Sequence, residues 1–205
     1  MPLLFGASAR GADTPLTAGI AAIEITPDAN LVNWVTRKPY GAVLDPLFVR
    51  ALVLSDTTNR RVVLLAFDLV ETREEFNAEV RAAISKELGI PGDHVLLNAS
   101  HSHSAPFSPT GKDVLSIAEQ KLMQPQQGTE LYRAWSASLA GRCVDAVRKS
   151  DASRRPATLG LARAWAGEVL FNRRPVCMDG TVKSTLAPPN PYALPEAQRF
   201  GPVDP

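Results

Sequence analysis

The chain has 205 residues, 45% of them hydrophobic, and a formal net charge of +1. That length suffices for one domain with its own core, and the near-neutral balance, with Lys and Arg scattered and not interleaved with aromatics, gives no field that would draw nucleic acid or an anionic membrane. No run approaches the ~18 apolar residues of a membrane span, and Cys143 and Cys177 form no C-x-x-C pair, which excludes a zinc ribbon or dithiol redox motif and leaves two free thiols as the expectation.

Residues 1–17 read as an N-terminal tail or the remnant of a signal peptide. MPLLFGASARGA carries a short apolar patch but neither a basic n-region nor a full h-region. Ala21–Pro27 alternates and halts at proline, as a strand does. Leu47–Asp56 is a second strand, Thr57–Arg60 a turn, and Arg61–Val70 a third strand, apolar enough to be buried on both faces. The pair reads as a hairpin. Asp45, before Pro46, reads as a turn former. Arg50 reads as half of an ion pair or as an exposed face.

Thr72–Gly89 is the clearest helix. Thr72 and Glu75 make a T-x-x-E capping box. Phe76, Val80, Ala83, Ile84 and Leu88 recur at helical spacing, and Gly89 followed by Pro91 is a natural stop. His94–Ala99 is a fourth strand, so strand, helix and strand predict a parallel βαβ crossover. Val114–Met123 reads as a short helix. Thr129–Ser150 reads as one long amphipathic helix, with Leu131, Trp135, Leu139, Cys143 and Val147 on a stripe for core packing. Pro156–Phe171 returns to strand. From Pro175 onward periodicity is lost, and seven of the 17 prolines fall in this last stretch. The expected architecture is therefore α/β, a mixed sheet with a βαβ crossover and flanking helices. The domain covers residues 18–174, and a Pro-rich segment, 175–205, leads toward a remainder that would complete it.

Two of the three histidines, His101 and His103, follow the fourth strand in LLNASHSHSAP. In an extended backbone, residues two apart point to one side. Two imidazoles can then converge on a cation, or one can ligate while the other handles a proton. Open α/β sheets place ligands beyond the carboxyl ends of their strands, and zinc takes imidazole readily. Ser100, Ser102 and Ser104 are small and leave room for a ligand. His94 precedes its strand and reads as a surface residue. Asp68, ending a buried-looking strand, is a candidate supporting group behind a site. Asn172 and Arg173 follow a strand end, where a guanidinium could bind a polar substrate group. Other H-x-H enzymes fit less well. The H-x-H-x-D-H of metallo-β-lactamases is not completed, amidohydrolase barrels would need later histidines, and no G-x-S-x-G elbow occurs.

Five stretches together resemble the N-terminal catalytic domain of the neutral/alkaline non-lysosomal ceramidase family. AGIAAIEITP (18–27) is similar to its opening D-I-T-P strand, and LDPLFVRALVL (44–54) to its D-P-L-x-x-R-A-L-V-L strand. IPGDHVLLNASHSHSAP (90–106) is similar to its segment around T-H-T-H-S-G-P, the most specific of them. FNRR (171–174) and GPVDP (201–205) are similar to its N-R-R and G-P-x-D-P elements, in the expected order. Ser100 and Ser102 replace threonines, Ala105 a glycine, Glu24 an aspartate, and Leu44 a frequent histidine.

The resemblance implies a zinc-dependent amidase that splits the N-acyl bond of ceramide-like lipids into fatty acid and sphingoid base. It implies His101 as a zinc ligand, His103 as a group that handles a proton beside the metal, and Asn172 and Arg173 as residues lining the substrate. It places the remaining ligands (a His, a Glu and a Tyr) and a nucleophilic serine beyond residue 205, and is compatible with export from the cell. Two alternatives stay open: a non-catalytic truncated remnant of that fold, and an unrelated H-x-H metal-dependent hydrolase.

Overall fold

A computed structural model describes residues 16–109, 126–162, 164, 176–177 and 198–199. The chain divides into two compact units. One is Gly11–Leu159, and the other joins Met1–Arg10 to Gly160–Pro205. In the first, β1 (Leu16–Glu24), β2 (Phe48–Ser55), β3 (Arg61–Phe67), β4 (Val95–Ala99) and β5 (Arg155–Ala157) form one sheet in the order β4-β3-β2-β1-β5. Its helices are α1 (Glu74–Leu88), α2 (Glu130–Ala137) and α3 (Leu139–Ala152). In the second unit, β6 (Val176–Cys177) pairs antiparallel with β7 (Gln198–Arg199).

The sheet is mixed, as the sequence predicts. β2 and β3 form the expected hairpin, whereas β3 and β4 run parallel from Val63↔Val95 to Phe67↔Ala99, joined by α1 as the crossover. A two-residue pleat sends Val49, Ala51 and Val53 of β2 and Val63, Leu65 and Phe67 of β3 to one face. There they bury against Phe76, Val80 and Ile84 of α1 and Cys143, Val144 and Val147 of α3. Cys143 is a free, buried thiol, and burial, aided by the Glu79 charge, pushes its pKa up to about 12. It packs as a small apolar residue and is no nucleophile.

Among the described residues nothing covers the opposite face, and the exposure there corrects the expectation that β3 is buried on both sides. Ile20 is 73% and Leu96 57% exposed, and Val62 and Leu64 are exposed beside them. The helical layer among the described residues covers the other face only.

A buried hydroxyl of helix α3 bonds to two strands of the sheet. Ser150 Oγ accepts from the Val53 amide at 3.1 Å and donates to the Gly19 carbonyl at 2.7 Å. The register sets Gly19 opposite Val53, so the bridge spans β1 and β2. Gly19 permits this approach: a Cβ there would stand 1.9 Å from the Ser150 carbonyl oxygen.

Several boundaries differ from the sequence reading. The cap of α1 is Arg73, not Thr72, and no side chain caps it. The Arg73 amide instead donates to Ser108 Oγ at 3.1 Å, and Glu74 and Glu75 face the helix dipole. The long helix is two. Thr129 Oγ1 caps α2 by accepting from the Tyr132 amide, and the chain breaks at Ser138, whose Oγ bonds back to the Trp135 carbonyl at 2.7 Å. Leu131, placed on the buried stripe by the sequence, is 40% exposed, and Tyr132 is buried in its stead. β5 (Arg155–Ala157) overlaps the strand read over 156–171 at Pro156 and Ala157, residues 158–162 are irregular, and 165–171 lie outside the described residues. His94 is no free surface group; its Nδ1 bonds the Arg61 carbonyl at 2.9 Å. The helix read over Val114–Met123 lies outside the described residues.

The β2–β3 turn is built on Asp56. Its Oδ1 accepts from the amides of Thr58 and Arg60 and from Thr58 Oγ1, and its Oδ2 from Arg60 Nε. The Arg60 amide, then the Thr58 side chain, hold its carboxyl at a pKa of about 2. A lowered carboxylate pKa means this turn is fully supported above pH ~4 and loses that support as pH falls through about 2. We expect the Thr58 and Arg60 amide NMR shifts to move together between pH 4 and about 2; an Asp56 titration centred at the ordinary value near 4 would contradict this.

Candidate functional site

The carboxyl ends of the parallel pair β3 and β4 organise the site. The Ser100 amide donates to the Phe67 carbonyl at 2.9 Å, one rung beyond β4. The next residue, His101, has φ +62°, so the chain turns sharply. Convergence of the two imidazoles therefore comes from a left-handed residue and a turn, not from the strand pleat that the H-x-H spacing suggests. The outcome is the same: His101 Nε2 and His103 Nε2 stand 3.3 Å apart, with the rings edge to face.

The backbone of one residue holds this arrangement. The Val70 carbonyl accepts from His101 Nδ1 at 2.7 Å, and the Val70 amide donates to the Pro106 carbonyl at 3.2 Å. A carbonyl can only accept, so Nδ1 carries the proton, and a neutral His101 presents Nε2 as a bare lone pair. Metal-bound histidines are commonly held this way, with the other ring nitrogen bonded to a carbonyl.

Buried side chains fix the rest of the loop. Trp34 Nε1 donates to the Ala105 carbonyl at 3.1 Å. Gln126, fully buried, accepts from the Phe107 amide at 3.2 Å and donates to the Val32 carbonyl at 2.9 Å. Tyr132 Oη donates to the Phe107 carbonyl at 3.0 Å, and burial pushes its phenol well above the ordinary range. The sequence singled out none of these residues for the site. A carbonyl such as that of Val70 leaves no trace in a sequence, and Gln126 is one of three nearby glutamines with no spacing to set it apart.

Asp68 lies at the same sheet edge, one residue past β3, but its carboxylate is engaged elsewhere. Arg50 Nη1 donates to both its oxygens at 2.8 and 2.7 Å, and the Phe48 amide donates to Oδ2 at 2.9 Å. None of these bonds reaches a histidine. The Arg50 guanidinium also lies 5.1 Å from the Phe48 ring centroid. A cavity of about 500 Å³ opens beside the loop, lined by Thr26, Asp28, Tyr40, Asp45, Ser102 and Ser104 among others. The serines face it, and neither histidine is in its lining. Asn172 and Arg173 lie outside the described residues.

Two nitrogens on one tetrahedral zinc, each at about 2.05 Å, are about 3.3 Å apart. The observed separation therefore fits a cation shared by both rings, and equally a proton on His103 Nε2 donated to the bare His101 Nε2. Among the described residues, however, no group of three or more His, Cys, Asp or Glu side chains gathers around a common point. The pair fits zinc as part of a site, with further donors to come from elsewhere.

A mixed sheet flanked by helices, with its polar site beyond the parallel strand ends, defines an α/β fold. That fold is shared with two solved structures, a ceramidase complexed with C2 and the neutral ceramidase from Pseudomonas aeruginosa. The first match has a TM-score of 0.55 at 21% identity over 70% of this chain and 22% of that chain. The second has a TM-score of 0.53 at 20% identity over 71% and 23%. The chain thus spans less than a quarter of the length of either. No family model and no curated protein matches it. No helix among the described residues is long and apolar enough to cross a membrane.

Proposed function

We propose that the chain carries part of the active site of a zinc-dependent amidase acting on the N-acyl bond of ceramide-like lipids. The observation that carries the reading is the His101 Nδ1 bond to the Val70 carbonyl, which in the neutral ring turns the Nε2 lone pair outward, 3.3 Å from His103 Nε2. The shared fold with ceramidases supports the choice of substrate class.

His101 Nε2 would hold the metal. Bound there, zinc would polarise the amide carbonyl or make a coordinated oxygen more acidic. His103 Nε2 stands within reach of the same point and would take a proton from the attacking group and return it to the leaving amine. The Val70 carbonyl keeps His101 in the ligating tautomer throughout. Asn172 and Arg173 are proposed to line the polar part of the substrate. Asp68, held by Arg50, would shape the strand end behind the pair rather than meet the substrate.

The test uses the natural gene product. Zinc content and fatty-acid release from a short-chain ceramide are measured for the wild type, His101→Gly and His103→Gln. Removing a ligand is expected to abolish zinc retention and release in His101→Gly. In His103→Gln zinc should still bind, though about tenfold more weakly, while release falls by roughly 10²–10⁴-fold. Wild-type zinc retention in His101→Gly would overturn the proposal. A wild type that takes up no zinc would favour a remnant that keeps the fold without the chemistry.

A further inference from the structure

We infer that Trp34 is a positioning residue for the histidine pair. This deepens the reading of His101 and His103 as a metal and proton site, and rests on it for its functional meaning. Trp34 is almost wholly buried, yet it stands apart from the main core, in a satellite cluster with Val70 and Phe107. Those two partners belong to the peptides that hold the loop. Val70 binds His101 and Pro106 through its backbone, and Phe107 is fixed through its own backbone by Gln126 and Tyr132.

The segment carrying Trp34 is rigid for its length. Val32 and Pro39 form a β-bridge, and the Asn33 side-chain oxygen accepts from the amides of Val35 and Thr36. The Asn33 amide donates to the Lys38 carbonyl, and Arg37 adopts a left-handed φ of +62° to close the turn. This small hairpin delivers one indole to the loop.

The indole acts at two points. Its N–H fixes the Ala105 carbonyl at 3.1 Å. Its ring meets the His103 imidazole edge to face, with centroids 5.2 Å apart, and Phe107 at 4.9 Å. His103 is exposed to solvent, and among the described residues it also meets the other histidine. An exposed imidazole otherwise samples several rotamers. The Trp34 edge selects the one in which its Nε2 faces His101. The contact also keeps a defined wall on one side of the ring, so the proton position stays aimed at one point.

The test compares the wild type with Trp34→Phe and Trp34→Leu. Two quantities are read: the side-chain NMR resonances of His103 in metal-free protein, and the zinc dissociation constant. Trp34→Leu is expected to remove the ring-current displacement of the His103 carbon-bound protons and to raise the zinc dissociation constant about tenfold or more. The His94 resonances, set by its bond to Arg61, should not move. Trp34→Phe keeps a ring edge and should retain most of the His103 displacement, with a smaller loss of zinc affinity. A folded Trp34→Leu with His103 shifts and zinc affinity equal to wild type would overturn the inference. Should that variant not fold, Trp34→Phe decides: His103 resonances unaltered in position and width would overturn it. If the wild type binds no zinc, the functional proposal fails, while the metal-free His103 spectrum still settles the role of Trp34.

Discussion

Gly19→Ala is expected to destabilise the domain by about 2–6 kcal/mol, enough at the upper end to unfold a protein of ordinary stability at raised temperature. The added methyl would sit 1.9 Å from the Ser150 carbonyl oxygen. That oxygen is helix backbone and cannot swing aside as a long side chain could. The whole C-terminal turn of α3 must lift, which costs overpacking strain of about 1–3 kcal/mol. Lifting α3 also parts Ser150 Oγ from Val53 and Gly19, leaving buried polar groups unpaired at about 1–3 kcal/mol. Urea unfolding measures the sum. Ser150→Ala, which removes the hydroxyl without the clash, should lose only the second part. A Gly19→Ala variant within about 1 kcal/mol of wild type would show that α3 does not approach β1 as described.

Gln126→Leu should show the second large effect, and a localised one. The leucine fills similar space but leaves the Phe107 amide and the Val32 carbonyl without partners. Two such losses predict about 2–4 kcal/mol. The Tyr40 hydroxyl would lose its 3.4 Å contact as well. Because Gln126 joins the 31–40 hairpin to the histidine loop, amide exchange should rise at Phe107 and around residues 101–108. Amides of β2 and β3, held by the ladder, should exchange at rates close to wild type. Uniform acceleration through the sheet would mean that Gln126 supports the whole fold and not this loop in particular. Gln126→Glu is a sharper variant: it still accepts from Phe107 but sets a carboxylate against the Val32 carbonyl.

The fold was legible where periodicity was strong. The pleat of β2 and β3, the 3.6-residue repeat of α1 and the Gly89 stop all follow from side-chain spacing, and the parallel crossover follows from their order. Boundaries set by single hydrogen bonds were not legible. Thr72 looked like a cap, but the helix begins one residue later, where the Arg73 amide is held by Ser108, 35 residues away. The break at Ser138 depends on a hydroxyl turning back onto Trp135, which helical spacing alone does not reveal. Of the site, the sequence showed the two ring-bearing residues and the strand end that carries them. It did not show what holds them, because Val70 contributes a peptide, Trp34 comes from a distant hairpin, and Gln126 is a neutral amide in a run of its own kind. The open apolar face escaped notice because an apolar strand reads the same whether one side or both are covered.

The left-handed backbone at His101 has a consequence for the history of this chain. A side chain there carries a conformational cost of about 1 kcal/mol, which glycine would not bear. Replacement by glycine loses one bond to Val70, worth about the same. Thermodynamic drift thus has no preference for the imidazole. A homologue that kept histidine here would record a demand for the ring, and one carrying glycine or asparagine would have let that demand lapse.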